Sequence, residues 1–90
     1  MLALVQTSQF RRDLKRALKR GEDLALLGAV IDALQREKPL PLANRDHALV
    51  GDYVGHRECH IRPDWLLIYR VDRSELILIL QRTGTHADLM

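Results

Sequence analysis

Apolar residues recur along this chain with two different periods, and the change from one to the other divides it. Residues 2–6 form a short β-compatible run, after which Thr7 or Ser8 offers the oxygen that caps a helix N-terminus. Phe10, Leu14, Ala17 and Leu18 then repeat at helical spacing until Gly21 supplies a stop. Asp23 caps a second predicted helix whose stripe is Leu24, Leu27, Ile31 and Leu34, ended by Pro39 and Pro41. From 40 to 54 prolines and glycines predict a loop with at most a brief strand. Beyond it residues 56–61, 65–71 and 75–82 read as strands, with turns at Pro63-Asp64 and Asp72-Arg73-Ser74.

The order β-α-α-β-β-β predicts an α+β domain, an antiparallel sheet with a helical hairpin segregated to one side. Within 56–61, His56, Glu58 and His60 share one face while Arg57, Cys59 and Ile61 share the other. The small and apolar members suit the core, which turns His60 to the open face unless the strand lies at an edge. The two later strands are apolar on both faces, as central strands are.

Ninety residues make one domain spanning 1–90, and 47% apolar with 29% charged residues describes a globular chain rather than a disordered one. The net charge of only +2 says little, but its distribution says more. Arg11, Arg12, Lys15, Arg16, Lys19 and Arg20 face a single opposing Asp13, a footprint suited to phosphates or an acidic partner. The single Cys59 excludes an internal disulfide and a Cys-based zinc site, which fits a reducing cytoplasm. The apolar runs are too short for a bilayer and the first residues lack a signal-peptide layout, so no membrane association is expected.

His47, His60 and His86 lie in polar phrases inside apolar stretches: in the loop entering the strands, in the first of them, and just past the last. Such a set can give and take protons near neutral pH, provided the fold makes it converge. Asp64 is explained by its turn and Trp65 by the core, whereas Arg82, four residues before His86, is placed to neutralise a phosphate. Glu58-x-His60 and His56-x-x-x-His60 admit a metal reading, but no three- or four-ligand set accompanies them. His56 has no motif support. No Gly-rich phosphate loop or Ser nucleophile elbow is present, and Cys59 and His60, as strand neighbours, point to opposite faces.

Taken together, Pro39-Leu40-Pro41, Arg45-Asp46-His47-Ala48-Leu49, Gly55-His56-Arg57-Glu58-Cys59-His60, Pro63-Asp64-Trp65-Leu66-Leu67-Ile68-Tyr69 and Arg82-Thr83-Gly84-Thr85-His86 resemble the YafQ branch of the RelE toxins over nearly the whole chain. The resemblance implies a RelE-like fold, a curved antiparallel sheet backed by the two helices. It implies a type II toxin that cleaves messenger RNA in the ribosomal A site by acid–base catalysis without metal or organic cofactor. A DinJ-like antitoxin would neutralise it, commonly in a heterotetramer, and carry the complex to operator DNA.

The family's active-site residues fall on His47, His60, Asp64 and His86, with Arg82 near the scissile phosphate. Arg45, Arg57 and Arg62 are further candidates for phosphate contact. Met90 stands where the family can carry an aromatic residue that stacks on a base, so it offers apolar contact without that face. Two other functions compete: a non-catalytic, gyrase-directed ParE-like toxin, which needs no proton-transfer set, and a ribosome-binding blocker that does not cut.

Overall fold

The computed structural model describes residues 1–89; Met90 lies outside the described residues. Its order is β1 (Ala3–Gln6), α1 (Ser8–Lys19), α2 (Leu24–Gln35), β2 (His47–Ala48), β3 (Arg57–Arg62), β4 (Trp65–Asp72), β5 (Ile77–Gly84) and α3 (His86–Leu89), with 3₁₀ turns at Leu42–Asn44 and Gly51–Tyr53. Among the described residues no helix is long and apolar enough to cross a membrane.

Both long helices begin where an oxygen meets an orphan N–H: Thr7 accepts from Phe10 at 2.9 Å and Asp23 from Ala25 at 3.0 Å. Gly21, at φ +79°, ends α1 as its position suggests. The end of α2 comes earlier than the prolines that were expected to stop it. Glu37 enters the left-handed region at φ +56°, and its N–H and that of Lys38 bond the carbonyls of Leu34 and Ala33. That closes the helix before Pro39 is reached.

The five strands lie in the order β1-β5-β4-β3-β2. Strands β3 to β5 form the predicted antiparallel meander and the brief β2 extends it, but β1 runs parallel to β5, from Ala3 opposite Ile77 to Gln6 opposite Leu80, so the sheet is mixed. Apolar alternation marks which face of a strand is buried and carries no sign for its direction. The α1–α2 crossover sets that direction, bringing the end of α2 back to the start of β1, where the Leu2 N–H donates to the Gln35 carbonyl at 2.8 Å.

The helices cover one face, where Phe10, Leu27, Cys59, Trp65, Leu67, Tyr69, Leu78 and Leu80 are buried. Each such large apolar side chain contributes about 1.5–3 kcal/mol on leaving water. Trp65 belongs to this core, its indole N–H donating to Thr83 Oγ1 at 3.0 Å. Leu66 and Ile68 point to the other face yet are also buried. The loop between β2 and β3 lies against them and is closed at its base by the Leu49 N–H on the His56 carbonyl at 3.0 Å.

The last hairpin differs from its expected limits. Asp72 Oδ1 accepts the N–H and hydroxyl of Ser74 and the N–H of Glu75, and Leu76 is exposed at φ +55°. Glu75 and Leu76 therefore complete the turn, and β5 runs two residues further, carrying Gly84 to within two residues of His86.

Candidate active site

The register of the meander brings the three histidines together. His47 pairs with Glu58, His60 with Leu66, and Leu66 with Gly84, so β2, β3 and the end of β5 present one continuous row on the face away from the helices. The rings of His47 and His60 are 6.5 Å apart and those of His60 and His86 5.6 Å, centre to centre. The convergence that proton transfer requires is present.

Each imidazole is held by its Nδ1. In His47 that atom lies 2.7 Å from the Arg45 carbonyl, and in His60 3.2 Å from the Pro63 carbonyl. In His86 it lies 2.6 Å from Oδ1 of Asp64. Carbonyls only accept, and so does an ionised carboxylate, which assigns the Nδ1 proton in all three. Asp64 also accepts the backbone N–H of His86 at 2.9 Å, and this bond, followed by the one from the ring, holds its carboxyl below the usual carboxylate range. Glu58 Oε1 stands 3.5 Å from His47 Nε2.

The short helix α3 that carries His86 is anchored from behind. Asp88 accepts from Arg20 at 2.5 and 3.1 Å and from the Thr85 N–H at 2.9 Å, with Arg16 at 3.4 Å. Its pKa is pushed far down, first by Arg20 and then by the Thr85 N–H. Gly84 packs so closely on this residue that a Cβ there would lie 2.8 Å from Asp88 Oδ2.

The family model for YafQ, bacterial toxin of a type II toxin–antitoxin system, matches residues 2–90. The chain belongs to the YafQ toxin family. The mRNA interferase toxin YafQ of Escherichia coli K12 is 39% identical over 84 residues, covering 92% of this chain and 89% of that protein. A metal-bound toxin from Helicobacter pylori superposes with a TM-score of 0.95 at 41% identity, covering all of both chains. The E. coli DinJ–YafQ toxin–antitoxin complex contains a chain that matches with a TM-score of 0.89 at 37% identity, covering 99% of this chain and 97% of that one.

The remaining candidate positions divide. Arg82 lies beside the row, but its Nε and Nη2 bond Asp13 of α1 at 2.9 and 3.2 Å. Asp13, 1% exposed, also accepts from Gln9 and from the Thr83 N–H, which β1, ending at Gln6, no longer reaches. Arg45 and Arg62 flank His60 around a cleft of about 480 Å³, with the Arg62 head 3.8 Å from Glu22.

Arg57 is not brought to the row. It points to the opposite face and bonds Asp46 at 3.0 Å, and Asp46 also accepts the Tyr69 hydroxyl at 2.7 Å. Met90, the position with the family's aromatic variant, lies outside the described residues. Cys59 is fully buried, and burial pushes its thiol up to about 12, so it is no nucleophile at neutral pH. Among the described residues no group of three or more His, Cys, Asp or Glu side chains has metal-holding geometry.

Sequence reading missed Asp13 and Tyr53. Asp13 stood out only as the lone acid in a basic run. Tyr53 lies in the loop that roofs the open face, in a segment whose glycines signal only a turn.

Proposed function

We propose that this chain, an endoribonuclease toxin of the YafQ family, cleaves messenger RNA in the ribosomal A site with the histidine row. The observation that carries the reading is the convergence of three imidazoles, each held at Nδ1 by an acceptor of its own. The RNA 2′-oxygen attacks the adjacent phosphorus, forming the O2′–P bond and breaking the bond to the 5′-oxygen. His60 or His47 takes the 2′-hydroxyl proton on Nε2, and protonated His86 returns one to the leaving 5′-oxygen. Asp64 keeps the Nδ1–H of His86 in place as Nε2 gives up its proton. Arg45, Arg62 and the part of Arg82 not held by Asp13 offset charge on the phosphoryl oxygens. No metal ion enters this step.

The partner has a counterpart among the relatives, since the E. coli YafQ was solved bound to DinJ. A DinJ-like antitoxin neutralises this chain in a heterotetramer that reaches operator DNA through the antitoxin, and the free toxin works in the cytoplasm on translating ribosomes.

The test is to incubate the purified chain with programmed ribosomes and map the ends of the message. Cuts at the A-site codon leaving a 2′,3′-cyclic phosphate are expected. Intact message with translation halted would replace this reading with a ribosome-binding blocker, and undisturbed translation would point to a target such as gyrase.

A further inference from the structure

The open face holds a slot of about 240 Å³ with His86 in its lining. Its floor is Leu66 and Ile68, its outer wall is Leu49 and Tyr53, and Glu58 supplies a carboxylate. The slot is part of a built loop. The Leu49 N–H closes the base of that loop on the His56 carbonyl, and the His56 N–H returns to the Tyr53 carbonyl at 2.9 Å. The His56 ring meets the Tyr53 ring edge-on at 5.8 Å, which holds the phenol in place.

The chain has four aromatic residues, and Phe10, Trp65 and Tyr69 are 1–2% exposed in the core. Tyr53, half-buried at the slot, is the one aromatic side chain a ligand can reach. The Glu58 side chain is only 15% exposed, and the ionisable group it meets among the described residues is His47 at 3.5 Å. A mainly apolar slot with one aromatic wall and one acceptor-only group fits a nucleobase better than a sugar or a phosphate, which the carboxylate repels.

We infer that this slot receives the base of a nucleotide flanking the scissile phosphate, stacked against Tyr53. The inference rests on the nuclease reading above, because the phosphate at His86 is what delivers the base to the slot. Glu58 accepts a hydrogen bond from an amino group on the base edge, so adenine, cytosine and guanine are favoured over uracil, whose edge is mostly acceptors. Tyr53 and Glu58 are therefore specificity-determining residues that adjoin the proton-transfer set.

The experiment uses ribosomes programmed with messages randomised in the A-site codon, cut by wild type, Tyr53→Leu, Tyr53→Phe and Glu58→Gln, with melting curves confirming that each variant folds. Tyr53→Leu is expected to lower kcat/KM about tenfold or more, mainly through KM, while Tyr53→Phe keeps the stacking face and stays near wild type. Glu58→Gln, which presents a donor as well as an acceptor, is expected to raise the share of uracil beside the cut. An unchanged rate and base profile in Tyr53→Leu and Glu58→Gln would overturn the inference. So would equal losses in Tyr53→Leu and Tyr53→Phe, or loss of antitoxin binding alone. A wild-type protein that cuts no message would instead overturn the nuclease reading itself, and this inference with it.

Discussion

One oxygen of Asp64 receives two hydrogen bonds from the same residue, the backbone N–H of His86 at 2.9 Å and its Nδ1–H at 2.6 Å. A turn residue on the β3–β4 hairpin thereby fixes the position, the ring orientation and the tautomer of a side chain 22 positions later. Asp64→Asn keeps the size but presents an amide that competes for the wrong tautomer. A hydrogen bond to a charged group contributes about 1.5–3 kcal/mol, so cleavage should slow by about ten- to a hundredfold. Single-turnover rates compared with melting curves will check this; a slower rate only in proportion to lost folding would refute the tautomer argument.

Gly84 tests how closely α3 must sit. A Cβ built there lies 2.8 Å from Asp88 Oδ2 and 2.9 Å from its Cβ, so Gly84→Ala must push α3 outward and carry His86 with it. A misplacement near 1 Å can cost about a hundredfold in rate. Cleavage is expected to fall by at least tenfold while antitoxin capture persists, and an unimpaired Gly84→Ala protein would show that the position of α3 is not critical.

Much of this site was legible in the chain, and the exceptions share a cause. The helix caps at Thr7 and Asp23, the Gly21 stop and the face shared by Glu58 and His60 are local patterns, and the structure keeps them. The parallel pairing of β1 with β5 and the bonds Asp13–Arg82 and Arg20–Asp88 join residues about seventy positions apart. No periodicity records such contacts. Arg57, offered as a candidate phosphate contact, stands apart from the histidine row, on the face its alternation with Cys59 indicates, and bonds Asp46.

Asp13 makes acid stability a readout of the α1–β5 junction. Burial alone would raise its pKa, but the hydrogen bonds from Arg82, Gln9 and the Thr83 N–H outweigh burial and hold it below the ordinary value. The folded chain therefore binds fewer protons at this group than the unfolded chain. Its stabilisation is complete above the unfolded value of about 3.9 and is lost as the pH falls through the lower folded value. Asp13→Asn should cost about 2–3 kcal/mol at neutral pH. The gap in melting temperature from wild type should narrow below about pH 4, and a gap independent of pH would contradict the assignment.

The basic helix has two kinds of cation. Arg16 and Arg20 hold Asp88, whereas Arg11, Lys15 and Lys19 are exposed on α1 and suit ribosomal phosphates. Changing these three to Gln should weaken ribosome association and flatten the dependence of log affinity on log salt by about two to three. Association with an unchanged salt slope would remove α1 from the ribosome contact.

The central claim is that the chain's own histidines move the protons, and the most direct measurement is the single-turnover cleavage rate of His86→Ala on programmed ribosomes with a chelator present. The account predicts that wild type still cuts in the chelator. It also predicts that the variant slows by about 10²–10⁴-fold while its melting temperature and antitoxin binding are preserved. Cleavage by His86→Ala at the wild-type rate, or loss of wild-type cleavage on chelation, would contradict it.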